Sequence, residues 1–206
     1  MARDFGTLCI DRADFAPEMH YAEEIVRYGH PVLRCKAQPV HKVNAEVQAI
    51  AERMTACLEQ AGGLGLAAPQ VGSGLRIIVY DVGEGPAAVI NPRIKESEGH
   101  EESLEGCLSL PGLYGDVPRA TRVVVQGRNL AGRPITIDAD DLLARVLQHE
   151  VDHLDGVLFV DRVNPQTLHW VVGGAQDGEP ERVPTTLEDA LKLFEARMAS
   201  REPRGA

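Results

Sequence analysis

The chain contains no closely spaced pair of cysteines. Its four thiols stand at positions 9, 35, 57 and 107, which excludes a zinc ribbon and a dense disulfide scaffold. No apolar run approaches the ~20 residues of a membrane-spanning helix. The first residues, "MARDFGTLCIDRADFAPE", carry acids where a secretory signal needs an apolar core. Basic residues are in deficit, with 21 Lys and Arg against 31 Asp and Glu and a net charge of −10. A specific nucleic-acid partner or an acidic membrane partner is therefore not expected. The sequence also has no internal repeat. These absences predict a cytoplasmic protein with reduced thiols. With 206 residues and a usual domain size of roughly 100–200 residues, one domain with a sizeable core is expected.

Residues 1–27 show no periodicity and read as an N-terminal extension. "NAEVQAIAERMTACLEQ" places Val47, Ile50, Met54, Cys57 and Leu58 at helical spacing. Asn44 is a suitable N-cap, and Gly62 and Gly63 a stop. Strand-like runs follow at 75–82, 87–94, 121–128 and 134–138, separated by Gly/Pro turns. Because strands succeed one another without alternating helices, the expected class is α+β with mainly antiparallel sheet. "VVGGAQDGEPERVP" (171–184) reads as a loop. Thr186 and Asp189 then open an amphipathic C-terminal helix with Leu187, Leu191, Phe194 and Met198 on one side.

"QHEVDHLDG" (148–156) sets His149 and His153 four residues apart, with Glu150 beside the first. On a helix, i and i+4 share a face, so both imidazoles can hold one cation while the glutamate handles protons. Asp140 as N-cap and Gly156 as stop bound a helix of about 141–154. Winding it at ~100° per residue gives a polar arc of Ala144, Arg145, Gln148 and Asp152 and an apolar arc of Leu143, Leu147, Val151 and Leu154. Leu142 and Val146 fall among the histidines and Glu150. Two largely apolar faces mark a buried helix, so the histidines are either metal ligands or hydrogen-bonded core residues. A catalytic metal usually has three protein ligands and one open position. The metzincin third histidine is excluded because position 159 is Phe. Glu179, Glu181 and Glu188 lie in settings unlike the ligand helix of thermolysin-like proteases. Cys107, in "LEGCLSLPG", would by itself be a small buried hydrophobe. Beside HExxH it is the leading third ligand.

"GGLGLAAPQ" (62–70) contains G-x-G-x-x-A, but a helix precedes it and Pro69 follows, the reverse of a dinucleotide fingerprint. It reads as a tight helix-to-strand turn, or as backbone open to a pairing peptide and ending in an amide donor, Gln70.

"GLGLAAPQ", "EGCLS" and "QHEVDHLDG", in that order, together resemble the peptide deformylase family. The similarity runs from "YGHPVLR" (28–34) to "GVLFVDR" (156–162). The resemblance implies an α+β fold around a central buried helix carrying HExxH, and a catalytic domain over 28–164; the loop and amphipathic helix of 165–206, like residues 1–27, fall outside the shared core. It implies a metal-dependent hydrolase that removes the formyl group from N-formyl-methionyl nascent peptides and releases formate. Cys107, His149 and His153 would bind one divalent ion. Fe(II) is the native metal implied, with Zn(II), Ni(II) or Co(II) able to substitute. Glu150 would be the general base, with the Gln70 side chain and the Leu108 N–H stabilising the oxyanion. Glu105 and Arg119 match an ion pair behind the site. Leu64, Gly65 and Gly106 match backbone that pairs with the substrate, and Leu142 and Val146 match part of the methionine pocket.

Arg145 departs from the family by standing where an apolar pocket residue is often found. The resemblance also raises a transient ribosome contact through a basic C-terminal helix. Here Lys192, Arg197, Arg201 and Arg204 are offset by Glu188, Asp189, Glu195 and Glu202. Packing of that helix on the domain or on a second subunit is the stronger expectation. The competing functional reading is a non-catalytic peptide-binding module stapled by a structural metal. Intact Glu150 and Gln70 speak against it, because a structural site needs neither and is normally closed by a fourth protein ligand.

Overall fold

Helix α1 spans Ala45–Ala61. The Asn44 side chain caps it, accepting from the Val47 N–H at 3.0 Å. Gly62 ends it with φ 61°, in the left-handed region where glycine is least strained. Val47, Met54, Cys57 and Leu58 are buried and Ile50 partly so, which is the face the spacing predicts. The computed structural model describes residues 24–173 and 180–199, apart from the side chains of 198 and 199. Cys9, most of the N-terminal extension, residues 174–179, Arg201, Glu202, Arg204 and the Met198 side chain lie outside the described residues.

The described residues form strands β1 (Gly65–Ala67), β2 (Ile77–Tyr80), β3 (Ala87–Glu98), β4 (Glu101–Cys107), β5 (Leu110–Arg119), β6 (Arg122–Arg128), β7 (Pro134–Asp140), β8 (His169–Val172) and β9 (Glu181–Pro184). They build two antiparallel sheets, ordered β1-β2-β3-β6-β7 and β4-β5-β8-β9. The expected strands at 75–82, 87–94, 121–128 and 134–138 are β2, β3, β6 and β7, all in the first sheet. Most of the second sheet was not anticipated.

The reading of 171–184 as a loop is corrected at both ends. Val171 and Val172 belong to β8, and Glu181–Pro184 form β9, paired from His169↔Pro184 to Val172↔Glu181. The intervening glycines and acids masked a strand pair whose buried residues, His169 and Trp170, precede them.

Helix α2 spans Asp141–Leu154. Asp140 occupies its N-cap but makes no side-chain cap bond. Ten of its fourteen residues are buried, so Ala144, Arg145 and Gln148 of the predicted polar arc are inside and Asp152 is partly so. Ala144, Leu147 and Leu154 pack on the first sheet with Ala67, Ile78, Val89, Val123 and Val125. Gln148 is satisfied by main chain, donating to Ala120 O and Ala144 O at 2.9 Å each. Helix α3, Leu187–Ala199, is opened by Thr186, whose hydroxyl accepts from the Asp189 N–H at 3.1 Å. Its Ala190 and Phe194 are buried with Trp170, Leu168 and Leu113. The helix therefore packs on its own domain.

Candidate metal centre and cleft

The burial of α2 aims one side of it at the β4–β5 hairpin, where Cys107 ends β4. Cys107, His149 and His153 bring one ligand atom each within 4.8 Å of one another. Cys107 Sγ lies 3.2 Å from His153 Nε2. The His149 and His153 rings stand edge to face, 5.1 Å apart. Nδ1 of His149 is occupied by Glu105 at 2.9 Å, which leaves Nε2 for the cluster. A thiolate and two imidazole nitrogens are a donor set suited to a divalent transition metal, and the residues fit one.

Charge around the cluster is arranged unevenly. Burial would lower the His149 pKa, but bonds with Cys107 and Glu105 outweigh it and raise the value well above 6.5. Burial and then the His149 charge hold His153 well below 6.5, so its ring is neutral and able to ligate. Burial pushes the Glu150 carboxyl from 4.5 up to about 7, and its Oε2 has no hydrogen-bond partner. Such an unpartnered, buried carboxyl beside a ligand set can take up and return a proton near neutral pH.

Glu105 and Arg119, the expected ion pair, are in contact and buried. Arg119 Nε and Nη2 donate to the two Glu105 oxygens at 2.9 and 3.0 Å. Sequence reasoning missed three further members of this network, Asp152, Arg162 and Arg145. Arg119 Nη1 donates to Asp152, which also accepts from Arg162 Nε at 2.6 Å. Arg145 is likewise inside. It donates to Glu105 Oε1 at 2.8 Å, to Val117 O at 2.8 Å and to Glu101 O at 3.0 Å. Its fixed fork of donors ties α2 to both strands of the hairpin. No local signal announces this, because the acceptors lie 28 to 44 residues away in sequence.

Above the cluster lies a cleft of about 310 Å³. β1 and β4 are the edge strands of their sheets, and residues from both line it. Leu64, Gly65, Gly106, Leu142 and Val146, the expected substrate contacts, all face it, together with Gln70 and Leu108. Leu104, Pro111, Tyr114 and Arg145 line it as well. Leu64, Leu104 and Leu142 are exposed by 46%, 43% and 49%, giving the mouth an apolar rim. The Gln70 amide is oriented at both ends. Its Oε1 accepts from the Ala67 N–H at 2.8 Å, and Nε2 donates to Ser109 Oγ at 3.3 Å and to Cys107 Sγ at 3.6 Å. Ser109 was not singled out from sequence, although it closes the "EGCLS" stretch.

A buried carboxyl with an unpartnered oxygen beside a thiolate-containing ligand set, under a cleft with two unpaired strand edges, is the equipment of a metal-dependent hydrolase acting on extended peptides. The chain belongs to the polypeptide deformylase family, whose model matches residues 22–169. It is 49% identical over 142 residues to a peptide deformylase of Halothermothrix orenii, covering 68% of this chain and 92% of that protein. The crystal structure of peptide deformylase from Thermotoga maritima is 44% identical with a TM-score of 0.67, over 68% of this chain and 97% of that one. A peptide deformylase from Synechococcus elongatus, solved in complex with actinonin, is 41% identical with a TM-score of 0.67, covering 75% of this chain and 84% of that one. No described helix is long and apolar enough to cross a membrane.

Proposed function

We propose that the chain hydrolyses the formamide of N-formyl-methionyl nascent peptides and releases formate. The observation that carries this reading is Glu150, buried beside Cys107, His149 and His153 with one carboxylate oxygen unpartnered. A metal-stapled binding module has no use for it.

Cys107, His149 and His153 would hold the metal, with Fe(II) the native ion and Zn(II), Ni(II) or Co(II) as substitutes. When bound, such an ion acts as a Lewis acid on the formyl carbonyl and lowers the pKa of water. The peptide lies in the cleft as an extra strand beside Leu64, Gly65 and Gly106, an arrangement that open strand edges favour. Leu142 and Val146 contact the methionine side chain. Glu150 accepts a proton from the attacking water and passes one to the leaving amine. The Gln70 Nε2–H and the Leu108 N–H donate to the oxygen that gains charge.

The catalytic unit spans 28–164, and β8, β9 and α3 complete its second core. The reading places the protein in the cytoplasm. It leaves a transient ribosome contact to exposed residues of α3, since Ala190 and Phe194 are committed to the domain.

Formate release from a formyl-methionyl peptide by metal-loaded protein tests the activity. Glu150→Gln keeps the shape but cannot accept the proton, so turnover is expected to fall ~10²–10⁴-fold with metal content intact. A fully loaded variant with wild-type turnover would remove Glu150 from this role.

A further inference from the structure

The two oxyanion donors come from different sheets. Gln70 follows β1 of the first sheet, and Leu108 sits in the β4–β5 turn of the second, with no strand shared between them. Their spacing therefore depends on whatever ties those two loops together. Three consecutive residues, the last two of the segment read from sequence as an extension and the first beyond it, reach both. The Val26 N–H donates to Gln70 O at 2.8 Å, and the Tyr28 N–H to Ser109 O at 2.9 Å. Between them, Arg27 Nη1 donates to Leu108 O.

The segment is itself anchored on both sides. Ile25 is buried in the core shared by α1 and the first sheet. Val26 and Tyr28 pack against the core of the second sheet. At its start, Arg53 pairs with Glu24 at 3.5 Å while donating to Val71 O at 2.9 Å, beside the Gln70 turn. The link closes on the far side through Gln70 Nε2 and Ser109 Oγ at 3.3 Å.

We propose that Val26, Arg27 and Tyr28 form a strap that holds the Gln70 and Leu108 donors in register, with Arg27 as a positioning residue for the Leu108 peptide. The inference rests on the reading of those two groups as oxyanion donors. Displacements of about 1 Å at a reacting centre can cost ~10²-fold in rate, while the groups that bind the peptide are untouched. Arg27 is the part that can be removed alone, because the two main-chain bonds survive its substitution.

The test uses the metal-loaded full chain with a formyl-methionyl peptide. Arg27→Ala is expected to lower kcat about tenfold at unchanged KM and unchanged metal content. Hydrogen exchange across 105–110 is expected to quicken. Arg27→Lys, which keeps a donor on a long stem, restores most of kcat, and the exposed control Lys192→Ala behaves as wild type. If Arg27→Ala is not recovered folded, Arg27→Met keeps the packing of the stem and takes its place. Wild-type kcat in the truncated variant, a loss of kcat that only tracks loss of metal, or lysine no better than alanine would each overturn the strap. Failure of the wild-type protein to release formate would instead overturn the deformylase reading.

Discussion

Nδ1 of His149 lies 2.9 Å from a carboxylate oxygen of Glu105, and that contact decides which ring nitrogen is left to face Cys107. A ligand histidine is oriented by the group on its other nitrogen. Here that group is itself fixed by Arg119 and Arg145. Orientation therefore passes from two guanidinium groups, through one carboxylate, to a ring of the candidate metal centre.

Arg119→Ala is accordingly expected to weaken stability and metal retention together. The Arg119 and Glu105 side chains are 4% and 5% exposed, so this is no surface pair. Removing one partner of a buried pair typically costs ~3–5 kcal/mol, although Arg145 remains to share the Glu105 charge. Thermal unfolding of the apo-protein and metal titration of the variant check this. An unchanged melting temperature with unchanged metal affinity would sink the proposed coupling.

The same carboxylate sets an acid limit. Burial would raise the Glu105 pKa, but bonds from His149 and Arg119 outweigh it and lower the value from 4.5 to about 2. A carboxyl with a depressed folded-state pKa stabilises fully above its unfolded value and loses that contribution as pH falls through the folded one. Metal-free protein should therefore lose stability between about 4.5 and about 2. Urea unfolding across that window is the measurement. Arg119→Ala, with a less depressed carboxyl, should show a shallower decline, and an equal slope in both proteins contradicts the assignment.

Gly65 offers a separation of function from stability. A Cβ there would sit 2.5 Å from Glu150 Oε1 and 2.9 Å from its Cδ. The obstacle is the Glu150 side chain from Cγ outward, also at 2.9 Å, so one side chain and no backbone must shift, and it is that of the proposed general base. Replacing glycine by alanine also restricts the unfolded chain, which favours folding by ~0.4–1 kcal/mol at an unstrained position. Gly65→Ala is expected to melt no lower than wild type while kcat falls ~10–100-fold. Loss of stability with normal kcat would be the opposite of this expectation.

What was legible in the sequence is what repeats locally. α1 and α2 show in helical spacing and caps, and β2, β3, β6 and β7 in runs of Val and Ile. β4 and β5 do not, because "EESLEGC" is a charged edge strand and "LPGLYGDVPR" is broken by Pro and Gly. Those prolines are tolerated since β8 pairs only with Leu113 and Tyr114, leaving Pro111 and Pro118 beyond its reach. The metal cluster was legible as a motif with a resemblance behind it. The Arg145 clamp and the contacts of Val26–Tyr28 were not, because their acceptors, in the β4–β5 hairpin and the Gln70 turn, are brought near only by folding.

Cys107 carries the last prediction. It lines the cleft and lies 3.2 Å from His153 Nε2, so a small oxidant entering by the substrate's route meets its sulfur. Cys57 is buried, Cys35 is exposed but remote from the cleft, and Cys9 lies outside the described residues. With Fe(II) in the site, peroxide can oxidise the iron and carry Cys107 from thiolate to sulfenic, sulfinic and sulfonic acid. Ni(II) has no comparable couple. Iron-loaded protein prepared without oxygen is therefore expected to lose formate release in peroxide faster than nickel-loaded protein. Mapping by mass spectrometry should find the oxygen atoms on Cys107 in step with that loss, while Cys57→Ser decays at the wild-type rate. Cys35 can collect oxidation from solvent, but its modification should not correlate with activity. Equal decay of the iron and nickel forms with Cys107 unmodified would remove both the redox-active iron and the thiolate ligand from this account of the site.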